Sequence, residues 1–387
     1  LRQGETKMRV TFFSNFFNAH QLPLALEFTK MEDVEYTFVS LLETDGVVGR
    51  SCLDDSYSFV LKEYSGASEK SRAMRHALED ELVVFGDMAG KENYVKARAK
   101  TGKLFFRHAE RLLKRGDWWR FVPLKQYRTW DMFTRYKDAN MYVLCASAYT
   151  ARDLSMFGFP IKKCLKWGYF PEVKVLEEPG DCNLVSRDKV LCSAQRLISL
   201  KRVDLQIDAL QHLVSDGYDL HLYIAGDGPE RAKLEKRAEL LGIAENVKFL
   251  GQLDREGVSK LMRESSIFLA TSNRKEGWGA TINEAMAAGC CVIASEDMGS
   301  VPFLIRNDYN GFSFAGGVDG LVAKLQIALN LVSCLPDMGK AAAKTIFADW
   351  DASSAAKHLI DVFLSSSKGE PAFPSEGPAS PVEVSSR

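Results

Sequence analysis

Five short, almost unbroken apolar runs punctuate the second half of the chain, at 189–193, 220–225, 247–250, 267–272 and 291–294. Stretches with helical patterning separate most of them, at 202–215, 230–241 and 256–263. A strand with no polar alternation needs cover on both faces, and strands joined by crossover helices pair in parallel. The first half repeats the pattern, with strands expected at 9–14, 36–41, 82–85, 104–107 and 141–146 and helices at 22–31, 69–79, 91–101 and 147–157. Between the two series, 167–187 carries Gly168, Pro171, Pro179 and Gly180 among charges and reads as a connection. With 387 residues, two α/β domains are the natural division. The expected boundaries are 1–170, a connection at 171–188, a second domain at 189–343, a crossover helix at 344–364 and a tail at 365–387. That tail is rich in Ser, Pro and Glu, and its composition predicts disorder.

The totals exclude several classes of function. A net charge of −1 gives no global attraction to nucleic acid. The eight cysteines form no C-x-x-C pair, and Cys145, Cys192, Cys290 and Cys291 sit in apolar contexts, as reduced core thiols do. No run reaches the ~18 apolar residues of a membrane span, and residues 8–13 read as a strand rather than a signal peptide. A reducing cytoplasm is the expected setting. No D-x-D spacing points to a metal; Asp54 and Asp55 are adjacent and lie in a polar stretch.

The segment 275–295, KEGWGATINEAMAAGCCVIAS, concentrates the chemistry. Glu276 stands at the mouth of a loop with glycines at 277 and 279, Glu284 lies inside the following helix, Gly289 ends it, and a strand follows. A helix start offers N–H groups and a positive dipole end to an anion. The two carboxylates suit hydroxyl groups attached to that anion, as on a nucleotide sugar. Taken singly, Glu276 reads as a solvated loop acid and Glu284 as a helix-surface acid.

Read in order, the second half resembles retaining GT-B glycosyltransferases that share the glutamate-x7-glutamate signature, the glycosyl transferases group 1 or family 4 type. The resemblance is carried by Ser193-Ala194-Gln195-Arg196-Leu197 with Lys201-Arg202-Val203-Asp204, by the glycine turn Ile224-Ala225-Gly226-Asp227-Gly228-Pro229, by Val247-Lys248-Phe249-Leu250-Gly251, by Glu276 to Glu284, and by Asn310-Gly311-Phe312. It implies two Rossmann-like doubly wound α/β domains facing each other across a cleft, with the C-terminal helix packing back on the N-terminal, acceptor-side domain. It implies transfer of a hexose-type unit from a nucleotide-diphosphate sugar, a UDP- or GDP-sugar, to a hydroxyl of a glycan, lipid-linked or small-molecule acceptor, with retention and with no further cofactor. Arg196 and Lys201 would bind the diphosphate, Glu284 the ribose hydroxyls and Glu276 the transferred sugar. Gly226 and Leu250 would stand on the nucleotide side, and the backbone of Gly277, Trp278, Gly279 and Ala280 would meet sugar and phosphate. Arg202 is as good a solvated cation as its neighbour Lys201. Other GT-B chemistry, such as a nucleotide-sugar epimerase or phosphorylase, and a non-catalytic subunit that binds a nucleotide sugar both remain open.

In the first half, His108 follows the strand at 104–107 and could orient or deprotonate an acceptor hydroxyl. Glu110 and His20 are alternatives. The loop at 14–20 departs from the family, with Phe16 and Phe17 where relatives carry glycines; 299–303 departs as well. Residues 91–128 hold 12 Lys/Arg against three acids, interleaved with Trp118, Trp119 and Phe121. A solvated helix face beside core tryptophans explains this simply. Peripheral contact with an anionic membrane at the inner face, or with a lipid-diphosphate acceptor, is the other expectation.

Overall fold

The computed structural model describes residues 7–43, 52–53, 56–173, 189–369 and 371–383. The chain divides into two compact units: Leu1–Glu172 with Trp350–Arg387, and Val173–Asp349. The expected connection at 171–188 lies mostly outside the described residues, as do Asp54 and Asp55.

The first unit is built on a seven-stranded sheet. Its elements run β1 (Met8–Ser14), α1 (Leu22–Lys30), β2 (Val34–Ser40), β3 (Val60–Lys62), α2 (Ala67–Glu79), β4 (Leu82–Phe85), α3 (Asn93–Lys100), β5 (Phe105–Ala109), α4 (Pro123–Met132), β6 (Met141–Cys145), α5 (Thr150–Ser155) and β7 (Cys164–Lys166). The strand order is β3-β2-β1-β4-β5-β6-β7, every neighbour parallel. Each helix returns the chain to the start of the next strand, which explains the regular alternation in the sequence. Phenylalanines fill the sheet faces: Phe28 stacks on Tyr36 with ring centroids 5.4 Å apart, and Phe13 meets Phe85 at 5.0 Å.

The second unit repeats the plan with six strands: β8 (Lys189–Ala194), α6 (Val203–Ser215), β9 (Leu222–Ala225), α7 (Arg231–Leu240), β10 (Val247–Gly251), α8 (Arg255–Arg263), β11 (Ser265–Ala270), α9 (Thr281–Ala287), β12 (Cys291–Ser295), α10 (Val301–Leu304), β13 (Gly311–Phe314), α11 (Gly317–Asn330) and α12 (Leu335–Lys344). Its order is β10-β9-β8-β11-β12-β13, again all parallel. Four of the five apolar runs hold strands buried on both faces, with Leu191, Cys192, Ile267, Leu269, Cys291 and Ile293 all inaccessible; the run at 247–250 does not, because β10 is an edge strand in which Lys248 and Leu250 are exposed.

Two expectations about the C-terminus need correction. The helix expected from 344 is interrupted: a π-helical turn, Thr345–Asp349, ends α12, and α13 (Ala352–Ser367) starts afresh, its first turn capped by Asp351 Oδ1 accepting from Ser354 N at 2.7 Å. α13 packs against α1, so it belongs to the first unit. The tail is ordered over 371–383, not disordered. Lys166 N donates to Ser380 O and Ala379 N donates to Lys166 O, both at 2.7 Å, and Pro381 forms an antiparallel bridge with Leu165. Composition argued for disorder because the segment has no core of its own; it is held instead by the open edge of β7, whose unpaired backbone groups it covers.

Candidate functional site

In both sheets the chain reverses its direction of growth beside its first strand: between β1 and β4, and between β8 and β11. Loops leaving the carboxyl ends of such neighbours diverge to opposite faces and leave a crevice where ligands of open α/β sheets bind. In the second unit these are the loops after β8, carrying Arg196 and Lys201, and after β11, carrying Glu276. Residues 75 positions apart thereby meet: Lys201 Nζ donates to Glu276 Oε2 at 2.6 Å, each side chain 15% exposed.

The two loops are fastened below that pair. Thr271 Oγ1, directly after β11, lies 2.9 Å from Lys201 O and 3.0 Å from Arg202 O, and accepts from Gln206 Nε2 at 2.9 Å. Asn273 N donates to Leu200 O at 3.0 Å, and Glu276 N donates to Asn273 O at 2.9 Å. Arg202 itself takes a left-handed conformation, φ 51°, and turns to Asp204, which its Nη2 reaches at 2.9 Å. The backbone thus separates the two adjacent cations: Lys201 goes to the site and Arg202 to the surface of α6. Arg196 is exposed and forms no ion pair with a described residue.

Gly226 serves this loop through its backbone. At φ +127°, a Cβ built on it would stand 1.9 Å from Gln195 O. Only glycine lets the turn after β9 lie so close against the loop that carries Arg196. Leu250, at the end of β10, is 39% exposed. Gly277 and Gly279 are buried, and Gly279 takes φ +91°, where a Cβ would meet Met298 Cε at 2.4 Å. The Trp278 side chain is core: it is 1% exposed, and its Nε1 donates to Asn283 Oδ1 at 2.8 Å. Only its backbone can serve a ligand, and its carbonyl is already taken by Ser300 N at 3.2 Å. Ala280 N-caps α9, where Glu284 N donates to Ala280 O at 3.3 Å. Burial pushes the Glu284 carboxyl above its ordinary value, with Arg255 opposing. Asn310 is a structural joint: fully buried, it donates to Leu304 O and Thr345 Oγ1 and accepts from Arg306 N.

In the first unit, the corresponding crevice collects His20 and His108. Both line a pocket with Ser14, Gly86, Trp167 and Tyr169. The Tyr169 ring lies 5.9 Å from that of His20 and 6.1 Å from that of His108, and its hydroxyl donates to Glu110 Oε1. Burial lowers the His108 pKa against the pull of Glu110 and Asp87, so the imidazole is neutral at neutral pH. Burial disfavours ionisation of Glu110, but Lys114, bound at 2.6 Å, and Tyr169 outweigh it and hold the carboxyl below its ordinary value. Glu110 is therefore already committed to two donors. Tyr169 was hidden in the sequence because it falls in the stretch that reads as connection. Phe16 and Phe17 do not occupy the crevice: both are buried, and Phe17 packs on Phe38, Tyr57 and Phe59. Among the described residues no group of three or more His, Cys, Asp and Glu is arranged to hold a metal ion.

Residues 177–345 match the family described as Glycosyl transferases group 1. A phosphatidyl-myo-inositol mannosyltransferase of Mycobacterium leprae (strain TN) is 29% identical over 42% of this chain and 42% of its own length, so the match spans under half of that relative. Among solved structures, Anabaena Alr3699/HepE in complex with UDP superposes with a TM-score of 0.67 at 17% identity, covering 93% of this chain and all of that one. A glycosyltransferase from Rickettsia africae ESF-5 gives 0.65 at 14% identity over 94% of this chain and all of its own. Residues 177–345 therefore carry a glycosyl transferases group 1 domain, on a chain whose two parallel-sheet, Rossmann-like units match GT-B glycosyltransferase structures.

Proposed function

We propose that the chain is a retaining glycosyltransferase that moves a hexose from a nucleotide-diphosphate sugar to a hydroxyl acceptor. The observation that carries this reading is the Lys201–Glu276 pair at the crevice of the second unit. Unliganded, the two charges neutralise each other. A donor's diphosphate would compete for Lys201 and recruit the exposed Arg196, freeing Glu276 oxygens to accept hydrogen bonds from sugar hydroxyls. Both cations then face the charge that grows on the phosphate as the sugar departs, which is electrostatic stabilisation built before the reaction begins. With its oxygens taken by sugar hydroxyls, Glu276 is a poor covalent nucleophile, so attack proceeds on the face the phosphate leaves, with the acceptor proton passing to the departing phosphate oxygen. Glu284, at α9, takes the ribose hydroxyls. His108, neutral in its pocket, orients the acceptor.

The relatives' printed names support a hexose donor and a phosphoinositide-type acceptor, and UDP is bound in one structural neighbour. The test is release of free nucleotide diphosphate from a panel of UDP- and GDP-sugars, with and without acceptor. Glu276→Ala and Arg196→Ala should each abolish most of that turnover while circular dichroism stays unchanged. Full activity in both variants overturns the reading; calorimetric binding without turnover across the panel replaces it with a binding subunit.

A further inference from the structure

The segment between β5 and β6 exposes its large apolar side chains at a fixed interval. Trp118, Phe121, Leu124, Tyr127 and Trp130 follow one another every third residue, and they are 59, 65, 58, 62 and 47% exposed. The first two lie on the 3-10 turn Asp117–Phe121, whose period is three, and the rest on α4. On an α-helix a step of three drifts by only ~60°, so the row stays on one side. Core tryptophans, the simpler expectation, account for none of this row. Trp118 has even satisfied its polar edge internally, with Nε1 donating to Arg115 O at 2.9 Å, which leaves an apolar ring facing outward.

α4 itself points to a missing partner. Of its ten residues only Thr129 is buried. A helix this short gains little from its own hydrogen bonds and normally depends on an apolar face packed against something. Here that face meets solvent. A patch of this kind marks a binding surface.

Charge says what binds. Residues 114–135 hold six Lys/Arg and two acids. Both acids are engaged, Asp117 by Arg152 at 2.7 Å and Asp131 by Arg135. The cations interleave with the rings: Arg115 lies 5.1 Å and Lys125 4.9 Å from the centroid of Trp119, and Arg120 4.7 Å from that of Phe121. Apolar rings with cations at their margins match the bilayer boundary, where aromatics enter the acyl region and Lys/Arg meet anionic headgroups. A protein partner would favour a core depleted of lysine. We propose that residues 115–130 dock the chain onto the surface of an anionic phospholipid bilayer. No single helix among the described residues is long and apolar enough to cross a membrane; the attachment proposed is at the bilayer surface, through this row. The proposal stands independently of the glycosyl-transfer reading.

Flotation of the full chain with vesicles tests it. Phosphatidylglycerol–phosphatidylcholine vesicles should carry the protein, all-phosphatidylcholine vesicles far less, and added salt should weaken binding. Arg120→Gln, Lys125→Gln and Arg128→Gln should each cost about fivefold in partitioning. Trp118→Ser with Phe121→Ser and Trp130→Ser should cost more than tenfold while the melting temperature holds. Independently of any variant, brominated lipids should quench the wild-type tryptophan fluorescence, because Trp118 and Trp130 enter the bilayer. Absence of flotation with anionic vesicles overturns the proposal, as does flotation that ignores the aromatic substitutions. Light scattering that shows self-association abolished by those substitutions assigns the row to a second copy and overturns it equally.

Discussion

Removing the charges of Lys201 and Glu276 singly and together separates their partnership from their service to a ligand. At 2.6 Å the pair interacts by ~6 kcal/mol at an effective dielectric of 20, before desolvation is subtracted. Both side chains are only 15% exposed, so most of that gain is offset by the water each has lost. Lys201→Met leaves Glu276 as a largely buried lone carboxylate, and Glu276→Gln leaves a lone ammonium. Each single variant should lose about 1–2 kcal/mol, or ~2–8 °C in melting temperature for a unit of this size. The double variant should lose less than the sum, with a coupling energy of at least 1 kcal/mol, inside the range seen for contacting charges. Donor-induced stabilisation behaves oppositely. All three variants should lose the thermal shift given by a nucleotide sugar, and the double variant should not regain it, because the ligand needs both groups. Turnover should fall by about 10²–10³ in each. Additive stability effects, together with an undiminished ligand shift in the double variant, would refute the claim that this pair is both a folded-state contact and a ligand site.

Three further outcomes follow from the geometry. Glu284→Gln should raise the melting temperature at neutral pH yet weaken nucleotide-sugar binding in calorimetry. A carboxyl raised by burial binds its proton more tightly in the folded state, so wild-type stability falls as pH rises from the ordinary carboxylate range through the raised value, and the glutamine variant lacks that decline. Gly226→Ala should destabilise by about 2–3 kcal/mol in chemical denaturation and also weaken donor binding, since the 1.9 Å contact with Gln195 O can be relieved only by moving the loop that carries Arg196. Tyr169→Phe should free Glu110 from one donor and raise the pKa of its carboxyl in an NMR titration; an unmoved titration would detach Tyr169 from the control of Glu110.

How far the chain could be read from its residues depended on what kind of signal each element leaves. Strands such as Cys291–Ser295, buried on both faces, declare themselves as apolar runs, and the segment from Glu276 to Glu284 is legible because a ligand-facing loop must keep particular residues at particular spacings. β3 and β7 are three residues long and leave no period to detect. α4 buries a single residue, and its apolar row of Leu124, Tyr127 and Trp130 faces outward, so core packing does not mark it. The choice between Lys201 and Arg202 is made by one left-handed backbone residue, which side-chain chemistry does not announce. Trp278 looked like part of a ligand-facing loop; its indole went inward because Asn283, one helical turn into α9, offers it a buried acceptor. The tail's order comes from an edge strand more than two hundred residues earlier, a partner that local composition cannot reveal.

The return of Trp350–Arg387 to the first unit makes the second unit an insertion within it, joined by two covalent crossings instead of one. Vectorial synthesis then reverses the usual order of maturation. At ~5–20 residues per second, the segment that completes the first unit emerges on the order of 10 s or more after Glu172. For that interval α1 lacks α13 and the edge of β7 stays uncovered, and the inserted unit has its whole sequence by the end of it and can close first. The nascent chain therefore carries the exposed edge of β7 until the second unit has been made, and α13 with residues 379–382 acts as the latch that ends that exposure.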